Sequence, residues 1–255
     1  MKHFRACDGA QLALTESGSG TPVIFIHGWR ADATAWDGII GTIGPNVRSI
    51  AIDVRGSGAS NSARGPYNLE RFAADLRELV EHFALGPVVL VGHSMGATVA
   101  LRLAVDAPST TRGLVLIAPV PASGGGYSEK GEAFLRATAG DPIATRKWLS
   151  RTLADPENEA TIERLCLSAA RTPRAAAIES FESWAFANFA EATKAIEAPA
   201  LVIAAERDAP DVAQRRVAAL LPNAEYVVLR DGAHYAPVER AGEIAALILD
   251  FVQRL

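Results

Sequence analysis

Val88-Val89-Leu90-Val91-Gly92-His93-Ser94-Met95-Gly96-Ala97-Thr98-Val99-Ala100-Leu101 is the stretch on which the reading of the chain turns. Its first four residues are aliphatic without a break, as in a strand covered on both faces. The residues after Ser94 carry the apolar spacing of a helix as far as Asp106. Between the two runs stands a G-x-S-x-G pattern. A sharp strand-to-helix turn holds its serine in a strained backbone conformation and projects the hydroxyl from the carboxyl edge of a sheet, and the flanking glycines relieve the crowding. Ser94 is therefore a candidate nucleophile. An ordinary Gly-rich turn with a capping serine is the competing reading, and the strand before and the helix after weigh against it.

Outward from this turn, short β-branched runs alternate with helical patterns, the signature of crossover units and a parallel sheet. Core strands are predicted at Val23-Ile26, Val47-Asp53, Pro87-Val91, Gly113-Ala118, Ala200-Ala204 and Glu225-Leu229, and helices at Trp36-Ile43, Leu69-Phe83, Met95-Asp106, Val212-Leu220 and Ile244-Leu255. Phe4-Ala6 and Leu12-Glu16 around Asp8-Gly9 read as a hairpin forming an antiparallel edge. The fold class is thus α/β, with a mostly parallel central sheet and helices on both faces. From Pro121 to Ala198 the alternation breaks: Ser123-Gly124-Gly125-Gly126 opens a helical, Ala-rich and aromatic segment. The expected organisation is a core of residues 1–120 and 199–255 with a helical cap over 121–198.

The chain of 255 residues is 49% hydrophobic and 21% charged, and its net charge of -4 comes from 25 basic and 29 acidic residues without a long run of either sign. That balance gives no footprint for nucleic acid or an anionic membrane. Cys7 and Cys166 fall in different regions and suggest neither a disulfide framework nor a metal cluster. Met1 to Gln11 has no apolar run of the signal-peptide kind, and His93, Ser94 and Arg102 interrupt the longest apolar stretch, so a cytoplasmic protein without membrane association is expected. A monomer or homodimer is expected.

A serine hydroxyl needs a base to take its proton. Of five histidines, His234 lies in Asp231-Gly232-Ala233-His234-Tyr235-Ala236-Pro237, between the last strand and the last helix, where loops gather at the sheet's carboxyl edge. His27 and His93 sit inside other motifs, His82 on a helix, and His3 near the start. A carboxylate must then hold the imidazole tautomer and stabilise the imidazolium. Asp208 follows the strand Ala200-Ala204 and gives the chain order Ser, Asp, His; Glu206 and Asp211 compete with it. Ala118-Pro119-Val120-Pro121-Ala122 offers no acid after the preceding strand. His27-Gly28-Trp29 can aim the Trp29 amide at the space above Ser94, and the amides of Trp29 and Met95 are the expected oxyanion donors, aided by the positive end of the helix that begins at Met95. Asp53 through Ser60 forms a tight turn that braces the site. Its Gly-Ser-Gly is not a dinucleotide fingerprint, because Asn61 stands where the third glycine belongs.

With these pieces in order the chain resembles the α/β-hydrolase superfamily, in particular its small capped serine members with esterase, lactonase or perhydrolase activity. His27-Gly28-Trp29, Asp53 to Ser60, Gly92 to Gly96, Asp208 and Gly232-Ala233-His234 fall in family order, and Ala97 departs from the glycine many relatives carry there. Ser94 in place of an aspartate argues against the dehalogenase and epoxide hydrolase branches. The resemblance implies an acyl-enzyme mechanism on a small-molecule ester or lactone, with no metal or organic cofactor. Carbon-carbon bond hydrolysis, cofactor-free perhydrolase or haloperoxidase chemistry and a ligand receptor on the same scaffold are the alternatives. Trp29, Phe134, Trp148, Trp184 and Phe186 are the expected pocket residues, with Leu149 and Phe189 supplying further apolar surface in the cap; plain packing, of the cap helices against one another or of the Trp29 ring, is the competing reading for each.

Overall fold

Asp8-Gly9 turns the chain back on itself at the start: Gly9 has φ +87, open to glycine, and the Asp8 carboxylate accepts the Ala10 amide at 3.0 Å. The strands it joins, β1 (Lys2–Arg5) and β2 (Gln11–Ser17), are antiparallel. The structure, a computed structural model, describes residues 1–208 and 211–255, leaving aside the side chain of residue 211.

Six further strands follow: β3 (Thr21–Ile26), β4 (Val47–Ile52), β5 (Val88–His93), β6 (Thr111–Ile117), β7 (Ala200–Ala205) and β8 (Ala224–Leu229). They form one sheet in the order β1-β2-β4-β3-β5-β6-β7-β8. Only the β1-β2 and β2-β4 pairings are antiparallel. The six predicted core strands thus pair in parallel, as their continuous apolar content requires. Alternate residues serve opposite faces: Phe25, Val91, Val115 and Ile203 pack with α1 (Asp37–Ile43) and α10 (Ala241–Gln253), while Ile26, Leu90, Leu116 and Val202 pack with α2 (Leu69–His82) and α3 (Met95–Asp106).

Chain direction in the strand order reverses at β3, which lies between β4 and β5. Open α/β sheets bind ligands outside the carboxyl ends of the strands at such a reversal. His27-Gly28-Trp29 leaves β3 there and Ser94 leaves β5.

Four helices stand between β6 and β7: α4 (Glu129–Thr138), α5 (Pro142–Thr152), α6 (Glu159–Arg171) and α7 (Arg174–Ala185). Side chains of Ser128, Asp141 and Asn158 cap the first three, and Pro142 opens α5. The insertion is tied to the sheet region by hydrogen bonds from Leu69 N–H to Ser183 Oγ at 2.9 Å and from Tyr67 N–H to Glu179 Oε1 at 2.8 Å. After β7 come α8 (Asp211–Leu220) and, following β8, the single turn α9 (Ala236–Glu239).

The observed boundaries differ from the predicted ones by a few residues. Trp36 closes a short 3-10 turn rather than opening α1, and the last helix starts at Ala241 and ends at Gln253. Among the described residues, no helix is long and apolar enough to cross a membrane.

Candidate active site

Backbone crowding shapes the turn at Ser94. Ser94 has φ 53 and ψ -118, a conformation that costs an L-residue about 1–3 kcal/mol and survives only where its surroundings hold it. A Cβ on Gly96 would lie 2.1 Å from the Ile26 carbonyl oxygen, and one on Gly92 would lie 2.4 Å from the Gly96 oxygen. Both glycines are therefore demanded by close backbone approach. Gly28 is packed against the same turn: its Cβ would sit 2.9 Å from His93 Nδ1 and 3.4 Å from Ser94 Cβ.

Three side chains distant in sequence meet at this edge. His234 Nε2 lies 3.0 Å from Ser94 Oγ, and His234 Nδ1 lies 2.9 Å from Asp208 Oδ2. Acceptance by the carboxylate puts the neutral ring's proton on Nδ1 and leaves Nε2 free to accept the serine proton. Burial works against the charged ring, but the Asp208 charge and hydrogen bond outweigh it and raise the His234 pKa above its ordinary 6.5. Gln214, fully buried on α8, donates from Nε2 to Asp208 Oδ2 at 3.3 Å and accepts the Ala205 amide at 3.3 Å. The other acids weighed from sequence do not take this place. Glu206 accepts the Asp231 amide at 2.8 Å, and the side chain of Asp211 lies outside the described ones.

The remaining histidines near the site are supports. His93 donates from Nε2 to the His234 carbonyl at 2.7 Å, and burial together with the neighbouring His234 pushes its pKa down to about 3, so it stays neutral. His27 accepts the Val54 amide at Nε2, 3.1 Å, and so donates from Nδ1 to the Gly28 carbonyl at 2.8 Å, fixing the turn after β3. Asp53 is buried and accepts the Ala33 and Ala59 amides at 2.7 and 2.8 Å, the bracing role its turn suggested.

The Trp29 and Met95 amides donate to no acceptor among the described residues. Met95 opens α3 directly after Ser94, so its N–H stands at the positive end of a helix. The Trp29 ring is itself anchored, donating from Nε1 to the Ala177 carbonyl on α7 at 2.9 Å. Trp29 thereby joins the sheet's edge to the insertion.

A cavity of about 230 Å³ opens at Ser94 and His234, walled by Trp29, Trp148, Trp184 and Leu135. Trp29 meets Trp148 and Trp184 edge-on, with ring centroids 5.4 and 5.9 Å apart. The Trp184 indole N–H is buried and has no acceptor among the described residues. Two predicted wall residues are not there. Phe186 follows the last turn of α7 and is 54% exposed, and Phe134 is turned from the cavity because its neighbour Leu135 faces inward, about 100° round α4. Leu149 packs instead with Leu153, Ile162 and Tyr235, and the Phe189 ring lies under the Arg102 guanidinium. Tyr127 and Tyr235, which sequence reading passed over, line the cavity. Tyr127 directly follows the Gly124-Gly125-Gly126 run, and Tyr235 adjoins His234, which was the available signal for each.

The sequence matches the model of the alpha/beta hydrolase family over residues 23–247. The chain belongs to that family. Over 246 residues this chain is 26% identical to a non-heme chloroperoxidase of Kitasatospora aureofaciens, covering 89% of its own length and 90% of that protein. Its fold superposes on a thermophilic esterase from Thermogutta terrifontis with a TM-score of 0.88 at 24% identity, covering 100% and 99% of the two chains. For the enol-lactonase from Burkholderia xenovorans LB400 the TM-score is 0.89 at 21% identity, covering 99% and 100%. At these identities the structural likenesses speak to fold. A 114-residue match, 32% identical, to an uncharacterized protein of Mycobacterium tuberculosis covers 45% of this chain and only 33% of that protein.

Proposed function

We propose that this protein is a hydrolase that cleaves a small, uncharged carboxylic ester or lactone through an acyl-enzyme, with Ser94 as nucleophile, His234 as general base and acid, and Asp208 as the residue that orients and stabilises the imidazolium. The observation that carries the reading is the hydrogen-bonded succession of Ser94, His234 and Asp208, 3.0 and 2.9 Å, at a strained strand-to-helix turn. Ser94 Oγ attacks the acyl carbonyl while His234 Nε2 takes its proton. The negative charge forming on the carbonyl oxygen is received by the Trp29 and Met95 amides, one such donor contributing about 10² to 10³ in rate. His234 then gives its proton to the departing alcohol oxygen, draws one from a water that attacks the acyl carbon, and returns it to Ser94 as the acid leaves.

The substrate class follows from the walls. The cavity is lined mainly by aromatic and aliphatic groups, and among the described residues no lysine or arginine lines it to receive a charged acyl chain. Its volume suits a short acyl chain or a small ring, and the helical insertion acts as the cap that closes over it. The likeness to a chloroperoxidase over most of the chain favours a second use of the same acyl-enzyme, in which hydrogen peroxide replaces water and the product is a peracid.

The test is labelling and turnover in parallel. A fluorophosphonate is expected to modify Ser94, Ser94→Ala to escape it, and p-nitrophenyl acetate or butyrate hydrolysis to fall at least about 10⁴-fold in that variant. Hydrolysis that survives Ser94→Ala, or a wild-type Ser94 inert to the probe, overturns the assignment. Product analysis with and without hydrogen peroxide separates hydrolysis from peracid formation.

A further inference from the structure

A second cavity, of about 210 Å³, lies behind the Trp29 wall and is bordered by Arg30, Pro142, Thr145, Cys166, Thr172 and Arg174. Arg30 is only 6% exposed. Its guanidinium donates to two neutral oxygens, Thr138 Oγ1 at 2.9 Å and Thr145 Oγ1 at 3.1 Å, and lies 5.4 Å from the centroid of the Trp29 ring. Each hydroxyl has already committed its own proton to a carbonyl, of Leu135 and Thr138 respectively, so each can only accept from Arg30. The side chain is thereby aimed, and its charge is left unneutralised: among the described residues no carboxylate pairs with it, and Nε has no acceptor. Burial accordingly pulls its pKa below that of an ordinary guanidinium. Arg30 also holds a left-handed backbone, φ 58, which costs a residue with a side chain.

A second orphan belongs to a residue that borders the same cavity: the buried Thr172 hydroxyl has no hydrogen-bond partner among the described residues. Arg174 at the rim has no ion-pair partner among the described residues. Among the described residues the one acid bordering the cavity is Asp141, and its Oδ1 accepts the Ile143 and Ala144 amides at the start of α5. The cavity therefore carries two guanidinium groups against one carboxylate. Its other walls, Pro142, Ala169, Ala170 and Cys166, are apolar or nearly so.

An isolated buried cation is costly, and the cost is relieved by an anion that also satisfies the remaining donors. We propose that this cavity is a binding site for a small monocarboxylate with a short aliphatic chain. The carboxylate is drawn in by the Arg30 and Arg174 guanidinium groups and reaches the Arg30 Nε–H and the Thr172 hydroxyl, both closed off in the empty cavity, by a small outward shift of the wall, and the chain lies on Pro142 and Ala169. Because Arg30 is adjacent to Trp29 in the chain and stacked on its ring, occupancy is coupled to the Trp29 wall of the first cavity.

Thermal unfolding and titration calorimetry of the full chain with sodium butyrate, with butyramide and sodium chloride as controls at equal concentration, test the site. Butyrate is expected to raise the unfolding midpoint saturably, by about 3–6 °C at about twenty times its dissociation constant, and the controls by much less. The effect is expected to persist in His234→Ala, which lies in the other cavity, to vanish in Arg30→Gln, and to weaken several-fold in Thr172→Val and Arg174→Gln. Should Arg30→Gln fail to fold, the last two variants decide. An equal response to butyramide or chloride, loss in His234→Ala, or undiminished binding in the cavity variants overturns the proposal.

Discussion

The carboxyl edge of the sheet and the helical insertion above it meet at one cavity and are built on different terms. At the edge, backbone lies on backbone: Gly96 approaches the Ile26 carbonyl so closely that a single methyl has no room, and Ser94 is held in a conformation its own side chain disfavours. In the insertion the cavity wall is made of side chains, Trp148, Trp184 and Leu135, meeting Trp29 through ring and aliphatic contacts. The first arrangement fixes atoms to fractions of an ångström, and the second can be recut without moving a strand. On the proposed function, reaction geometry belongs to the edge and substrate choice to the insertion.

The contrast is broken most severely at the edge. Asp208→Asn is expected to lower kcat/KM on an activated ester about 10⁴-fold while far-ultraviolet circular dichroism stays unchanged, since the amide no longer enforces the Nδ1-protonated ring. The same variant carries a pH signature. On the proposed mechanism neutral His234 is the active form, and its raised pKa is expected to place the acidic limb of wild-type kcat/KM above pH 6.5. Without the carboxylate only burial remains, which disfavours the charged ring, so the limb moves toward acid as the plateau falls. A pH-rate profile with the limb unmoved removes Asp208 from this role.

Next in size, Gly96→Ala is expected to cost about 3 kcal/mol in urea unfolding, because β3 or the turn must shift to admit the methyl. An ordinary turn would tolerate the change within about 1 kcal/mol. In the insertion, Trp148→Ala is expected to change relative kcat/KM between acetate and hexanoate esters about 10-fold in favour of the longer chain, with stability reduced but the pH profile kept. Smallest of all, Phe186→Ser at an exposed position is expected to leave chain-length preference unchanged within twofold and stability within about 0.5 kcal/mol.

The same division governs what could be read from sequence. The parallel strands were legible because a doubly covered strand must be continuously apolar, and the turn at Ser94 because only glycine fits on either side of it. Asp208 and His234 could be placed because loops after β7 and β8 converge on one edge whatever their composition. Phe134 and Phe186 could not be assigned correctly. An aromatic residue on a helix announces burial but not direction, and one residue of register separates Phe134 from the cavity-facing Leu135. Arg30 was passed over because a charged residue in a loop signals exposure, and its burial depends on hydroxyls more than a hundred residues away.

His93 gives the edge one further property. Its ring leaves the residue directly before Ser94 and holds the carbonyl of His234. The two ends of the Ser94–His234 hydrogen bond hang from a common peg, so a swing of the last loop drags on the turn and meets its stiffness at once. Their separation is thereby held from the sheet side by one ring, while on the other side Tyr235, next to His234, rests against Leu149, Leu153 and Ile162 of the insertion, so a displacement of those helices is felt at the pair and resisted by the peg.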